Sequence, residues 1–104
     1  MQIVREIKKG EKIADIVNEA KALTFTRNVE HALVKLKDGR RVLVSGGRHG
    51  IHLTDDVTRV FRHTHAYSEW AGGPSLADLS VLRRLGQRHS YLFQRGQRIR
   101  FEAD

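Results

Sequence analysis

Residues 29–47 read VEHALVKLKDGRRVLVSGG, two runs rich in valine and leucine on either side of Asp38-Gly39. An Asp-Gly pair between apolar runs is the strongest short signal for a β-hairpin, because glycine takes the positive φ angles of a tight turn. A two-residue turn would pair Leu36 with Arg41, Leu33 with Val44, and Glu30 with Gly47. Residues 29–36 also fit a helical spacing, but the turn signal favours the hairpin, which predicts a sheet at the centre of the fold.

The segments on either side of this hairpin predict the remaining elements. Apolar residues at helical spacing indicate an amphipathic helix over residues 11–23 and a second helix over residues 74–87, which ends near Gly86. Strand patterns are found in GIHL, in VTRVFRHTH and in a final hairpin around Arg95-Gly96. Strict alternation along VTRVFRHTH would place Val57, Arg59, Phe61, His63 and His65 on one face. We therefore expect one small α/β (α+β) domain spanning residues 1–104, with a mixed, mostly antiparallel sheet flanked by two helices.

Composition narrows the chemistry that the chain can perform. Its 104 residues suit one domain, and the absence of cysteine excludes disulfides, thiolate zinc sites and cysteine nucleophiles. The sequence shows neither an apolar run long enough to span a membrane nor the apolar core of a secretion signal. We therefore expect a cytoplasmic protein.

The chain is basic, with a formal net charge of +7. Arginines crowd its last quarter, where no acidic residue occurs between Asp78 and Glu102. These arginines are Arg83, Arg84, Arg88, Arg95, Arg98 and Arg100. Such a surface attracts acidic partners, so we expect an acidic protein partner there, with nucleic acid as a less favoured alternative and no membrane.

A candidate metal site begins at His63-Thr64-His65. On a strand, residues two apart share a face about 6.6–6.8 Å from each other, so both imidazoles can reach one ion. Neutral imidazole suits Zn²⁺, and a catalytic zinc usually has three protein ligands. Asp78, in the first turn of the following helix, is a suitable third ligand.

Hydrolysis also needs a base and a donor for the developing oxyanion. Glu30 is the favoured base because it lies opposite Gly47, which leaves space above the sheet; Glu69 is the alternative. Ser75 lies at a helix N-terminus and could donate to an oxyanion.

Each motif also has a purely structural interpretation. Ser75-Leu76-Ala77-Asp78 is a good capping box, in which serine caps the helix and aspartate reaches back to it. A His-x-His pair is often a surface feature of a strand, and Glu30 alone could be a charged residue on a half-exposed strand. The glycine pairs Gly46-Gly47 and Gly72-Gly73 are typical of turns.

The order of these motifs resembles that of the JAMM (MPN, JAB-type) zinc metalloprotease family. That pattern is a glutamate, then His-x-His, then Ser-x-x-Asp, and the resemblance covers roughly residues 11–93. It implies zinc bound by His63, His65 and Asp78, with Glu30 as the base and Ser75 as the oxyanion donor. The gap between His65 and Ser75 is longer than is usual in the family, and Ala66 replaces a common proline.

The segments DGRRVLVSGGRHGI, HTH and PSLADLSVLRRLGQRHSYL also resemble the small JAB-like domains of bacterial polymorphic toxins. The leading hypothesis is therefore a zinc hydrolase that cleaves peptide or isopeptide bonds. The second resemblance implies a bacterial toxin domain, which would be delivered into the cytoplasm of a target cell. The alternatives are a basic nucleic-acid-binding module or metal-independent ribonuclease, and a catalytically inactive JAMM-like scaffold.

Overall fold

The computed structural model describes residues 1–66 and 73–103. They form two helices and a six-stranded sheet in the order β1-β3-β2-β4-β5-β6. The strands are β1 (Gln2–Glu6), β2 (His31–Leu36), β3 (Arg41–Ser45), β4 (Val57–Thr64), β5 (His89–Gln94) and β6 (Gln97–Glu102), and the helices are α1 (Ile13–Arg27) and α2 (Leu76–Leu85). Only β4 and β5 pair in parallel, with α2 as the connection between them. The predicted α+β fold, with a mostly antiparallel mixed sheet and two helices, is confirmed.

The predicted β2–β3 hairpin forms, but its register was wrong by one residue. Leu33 pairs with Leu43 rather than with Val44. The turn holds three residues, because Leu36 donates to the Arg40 carbonyl and Gly39, at φ +92°, occupies a bulge position after the turn. The extra residue shifts the partners of residues 31–35 by one position, whereas Glu30, just before the strand, still bonds to Gly47.

Strict alternation along β4 was also wrong. Two register shifts against β2 add a residue to β4 at each place, so Ala32 pairs with His63 and Leu36 with Val57. Val57, Val60 and His63 consequently lie on the face toward α2, three residues apart rather than two. Phe61 packs on the opposite face, toward α1.

Two further details of the prediction differ from the structure. Residues 50–53, GIHL, do not form a strand, although Leu53 is buried against the sheet. Residues 2–6 form β1, an edge strand that the sequence pattern did not indicate because its side chains are mostly exposed or half-buried. Arg5 ties β1 to α1 through hydrogen bonds to Glu11 and Glu19.

Each face of the sheet has its own apolar core. Leu33 and Leu43 pack against Ile16 and Ala20 of α1 on one face. On the other face, the cluster around Val34 and Val44 receives Val81 and Leu85 of α2. No helix in the described residues is long and apolar enough to cross a membrane.

Candidate metal centre

His63 and His65 meet at the end of β4. His63 is the penultimate residue of the strand, and the His65 N–H extends the parallel pairing by donating to the Phe93 carbonyl over 3.3 Å. Both imidazoles are buried, and their Nε2 atoms lie 3.3 Å apart. The predicted convergence of the two rings is therefore present.

Asp78 reaches this pair from the first turn of α2. Its Oδ1 lies 3.3 Å from Nε2 of His63, and its Oδ2 lies 3.0 Å from Nε2 of His65. Because α2 crosses from β4 to β5 over this face, the helix N-terminus lies above the end of the histidine strand. The longer segment between His65 and Ser75 does not prevent the contact.

The separation of the two imidazole nitrogens matches one edge of a tetrahedral coordination sphere. Ligand atoms 2.0–2.1 Å from a tetrahedral Zn²⁺ stand about 3.3–3.4 Å from one another. The two imidazole nitrogens are 3.3 Å apart, and the carboxylate contacts are made by different oxygens, Oδ1 at 3.3 Å from His63 and Oδ2 at 3.0 Å from His65. Two buried imidazoles with a neighbouring carboxylate are donors of a kind that could hold a metal ion.

Gln94 of β5 controls which nitrogen of His65 faces this centre. Its Oε1 lies 3.2 Å from His65 Nδ1. Since an amide oxygen only accepts, Nδ1 carries a proton, and the 3.0 Å contact of Nε2 with Asp78 Oδ2 then requires a second ring proton or a cation between the two atoms. This is the arrangement that a ligating histidine and its supporting carbonyl adopt around a metal.

Glu30 lies directly before β2, on the same face as the two histidines. Its N–H donates to the Gly47 carbonyl and its carbonyl accepts from Gly46, so one glutamate opposes two glycines. Its side chain is buried, which overturns the alternative of a half-exposed strand residue. Ligand atoms of Glu30, His63 and His65 all lie within 4.8 Å of one another, and this buried group could hold a metal ion.

Of the two glycines opposite Glu30, Gly46 is the one that is closely packed. A Cβ on Gly46 would approach the backbone of Gly50 and Ile51 to 2.6 and 2.7 Å, whereas one on Gly47 would meet only the Gly50 carbonyl, at 3.6 Å. Gly46 therefore allows the loop carrying Ile51 to fold back over the sheet. Ile51 lines the cavity beside Glu30.

That cavity has a volume of about 40 Å³ and is bounded by Glu30, His63, Asp78 and apolar side chains. This is room for one or a few water molecules beside three polar groups. A water between Glu30 and the histidines would be within reach of the carboxylate.

The electrostatics of Asp78 favour its charged form. Burial raises the pKa of the carboxyl, but the hydrogen bonds and charge interactions with His63 and His65 outweigh it and hold the pKa well below its usual range. Asp78 is thus an anion throughout the neutral range.

Ser75 forms the predicted capping box with Asp78. The serine Oγ accepts from the Asp78 N–H over 3.1 Å, and Asp78 Oδ2 accepts from the Ser75 N–H over 2.9 Å. The serine O–H proton remains free of this pair of bonds and could donate to an oxyanion. The alternative base, Glu69, lies outside the described residues.

A polar network supports the site from the opposite face of the sheet. Thr64, between the two histidines, points toward α1, where its Oγ1 accepts from the His31 N–H over 3.0 Å and lies 2.5 Å from Thr24 Oγ1. Burial lowers the pKa of His31, which favours the neutral imidazole, and its Nδ1 lies 2.8 Å from Thr24 Oγ1. The sequence analysis did not identify this network or Gln94, because their roles depend on strand pairings that no local pattern reveals. The one available clue was the position of Thr64 between the two histidines, which places its side chain on the opposite face of the strand.

Comparisons with protein-family models, with curated proteins and with solved structures found no match. The case for a function of this chain therefore stands on the geometry of the centre itself.

Proposed function

We propose that this protein is a zinc-dependent hydrolase that cleaves peptide or isopeptide bonds, with a JAMM-like site. The observation that carries the proposal is the spacing of 3.0–3.3 Å between the two Nε2 atoms and the Asp78 carboxylate. His63, His65 and Asp78 would hold the metal. When bound, zinc would polarise the substrate carbonyl and lower the pKa of a water in its open position.

The residues around the metal supply the proton transfers. Glu30 would take the proton of the attacking water and deliver it to the nitrogen of the leaving amine, so that one carboxylate serves both halves of the reaction. Burial suits this task because proton transfer is more effective where bulk water does not compete for the carboxylate. Ser75 would donate its hydroxyl proton to the oxyanion, supported by the partial positive charge at the N-terminus of α2.

Two imidazoles and one carboxylate also occur around non-haem iron, so the choice of metal needs a chemical argument. Iron oxygenases leave several coordination positions open for oxygen and a co-substrate. The 3.3 Å separation of the imidazole nitrogens and the second carboxylate beside the centre favour zinc and hydrolysis here.

Metal analysis tests the foundation of the proposal. We expect purified protein to carry about one zinc per chain and the His63→Ala, Asp78→Ala double variant to carry almost none. Absence of zinc from the wild type, or its retention in the double variant, would overturn the site.

Activity tests the role of Glu30. The probes are a library of internally quenched peptides and a matched set of peptides joined through a lysine ε-amine. Glu30→Gln should keep its zinc and lose about 10²–10⁴-fold in rate, whereas the exposed control Glu6→Gln should retain full activity. Zinc binding without cleavage of any probe would instead support the inactive scaffold.

A further inference from the structure

A second surface with binding chemistry lies on the α1 side of β5 and β6. Helix α1 packs against β2 and β4, and α2 packs on the opposite face of the sheet. The side chains beyond α1 are half-buried or exposed and combine rings with positive charges. This basic-aromatic face consists of Arg62 of β4, Tyr91 and Phe93 of β5, and Arg98 and Arg100 of β6.

Strand register brings these side chains together. Arg62 pairs with Tyr91, and Tyr91 pairs with Arg100, so an aromatic ring lies between two arginines across three strands. The guanidinium carbon of Arg62 is 4.1 Å from the centroid of the Tyr91 ring, and that of Arg98 is 5.5 Å from it. Stacking on the ring orients the hydrogen-bond donors of the arginines and lowers the entropy lost on binding.

The positive charge of this face is only partly neutralised. Arg100 bonds to Glu102, but within residues 1–66 and 73–103 neither Arg62 nor Arg98 forms an ion pair. Burial lowers the pKa of Arg62, and the like charge of Arg98 lowers it further, against the opposing influence of Tyr91. Two guanidinium groups crowded without a counter-charge favour the binding of an anion.

An open cavity adjoins the basic-aromatic face. Its volume is about 480 Å³, and the described residues lining it include Lys21, Phe25, Phe93 and Arg95. Phe25 is 71% exposed, and the Lys21 ammonium lies 5.7 Å from the centroid of the Phe93 ring. A cavity of this size accommodates a planar heterocycle beside the phenylalanine rings.

We propose that the basic-aromatic face and this cavity bind single-stranded nucleic acid. Arginine forks hold phosphate groups bidentately, and exposed rings stack on bases without regard to their sequence. An acidic peptide would use the arginines, but its carboxylates would gain nothing from the rings of Phe25 and Phe93 that line the cavity. The proposal is separate from the hydrolase, because the arginines and rings that carry it are not candidate metal ligands, although His65 also lines the cavity.

The test is the fluorescence anisotropy of a fluorescein-labelled deoxythymidine 15-mer, measured from 50 to 200 mM salt in the presence of EDTA. We expect wild-type protein to bind, with an affinity that falls steeply as salt is added. The Arg62→Ala, Arg98→Ala double variant should bind about tenfold or more weakly, and its salt slope should be smaller by about 1.4, since each lost phosphate contact removes about 0.7. Phe25→Ala should weaken binding about fivefold or more through lost stacking.

The matched control is the Arg48→Ala, Arg84→Ala double variant, which removes the same charge from two exposed arginines outside β4, β5 and β6. It should change affinity less than threefold in about the same salt range, and circular dichroism should show all variants folded. Equal losses in both double variants, or no binding by the wild type at 50 mM salt, would overturn the proposal. Tighter binding of a 15-residue polyglutamate through Arg62 and Arg98 would overturn it in favour of an acidic protein partner.

Discussion

The Asp78 carboxylate lies 3.0 Å from His65 Nε2 through the same oxygen that accepts the N-terminal hydrogen bond of α2. The helix cap and the third candidate metal ligand are therefore one group. The cap restricts the carboxylate to the orientation that both imidazoles require, so the structural and the ligand interpretations of Ser-x-x-Asp are compatible.

Variants at the capping box should separate these two roles. Ser75→Ala removes the cap but leaves the carboxylate, so it should lower the free energy of unfolding by about 0.5–2 kcal/mol while zinc stoichiometry is retained. Asp78→Ala should lose both stability and zinc. Urea unfolding of the metal-free proteins and plasma emission analysis of the zinc-loaded proteins measure the two effects; a Ser75→Ala protein that fails to retain zinc would contradict the separation.

Gln94 should act on metal affinity through His65. Gln94→Leu removes the acceptor for the Nδ1 proton, so zinc affinity measured by competition with a fluorescent chelator should fall about 10–100-fold. Gln94→Glu supplies a stronger acceptor and should restore it. Gln97→Leu, an exposed change on β6, is the control and should leave affinity unaltered. An unchanged affinity in Gln94→Leu would show that the glutamine does not support His65.

The hydroxyl of Thr64 should contribute more to the free energy of unfolding than the hydroxyl of the exposed Thr58 on the same strand. Thr64→Val keeps the shape but leaves the buried His31 N–H without its acceptor, so unfolding free energy should drop by about 1–3 kcal/mol. Thr58→Val removes an exposed hydroxyl that donates to the Lys35 carbonyl. This change should alter the free energy of unfolding by no more than about 0.5 kcal/mol. Equal effects of the two changes in urea unfolding would contradict a supporting role for the buried network.

Alanine substitutions at the neighbouring glycines Gly46 and Gly47 should change the stability of the protein in opposite directions. Gly46→Ala forces the backbone at Gly50 and Ile51 to move, so it should destabilise the protein by about 1–3 kcal/mol. Gly47→Ala meets no close contact and should stabilise by about 0.4–1 kcal/mol, because alanine restricts the unfolded chain. Thermal unfolding distinguishes them, and a tolerated Gly46→Ala would show that the loop over the sheet is not tightly fixed.

Acid should weaken the ion pairs of Arg5 with Glu11 and Glu19, which hold β1 to α1. Hydrogen bonds from Arg5 and from the Lys8 backbone N–H lower the pKa of Glu11 to about 2. Because the folded pKa lies below the unfolded value of about 4.3, the stability that Glu11 contributes is present above the unfolded value and is lost as pH falls toward the folded one.

The gap in urea midpoint between wild type and Glu11→Gln should therefore be largest near pH 6 and shrink between about pH 4.5 and 2. Asp55→Asn, in an exposed loop, serves as the control and should show no such convergence. A gap that stays constant with pH would exclude the ionised carboxylate as its source.

Local sequence signals were sufficient for most of the elements of this fold. The Asp-Gly turn, the capping box at Ser75 and the final glycine turn each act within a few residues, so the hairpins and both helices could be recognised. The expected site residues Glu30, His63, His65, Ser75 and Asp78 do come together on one face of the sheet. Their catalytic and metal-binding roles stay predictions.

Only the tertiary structure determined the register of the strands and which side chains contact one another. One extra residue in the β2–β3 turn shifted the pairing, and two bulges in β4 changed which side chains face α2. Gln94 meets His65 because β4 and β5 pair in parallel through a helical crossover, 29 residues apart along the chain. The sequence by itself determined which residues could form helices, strands and ligands. Which of them meet depended on bulges and long-range strand pairing, whose energies come from packing between distant segments rather than from local residue preference.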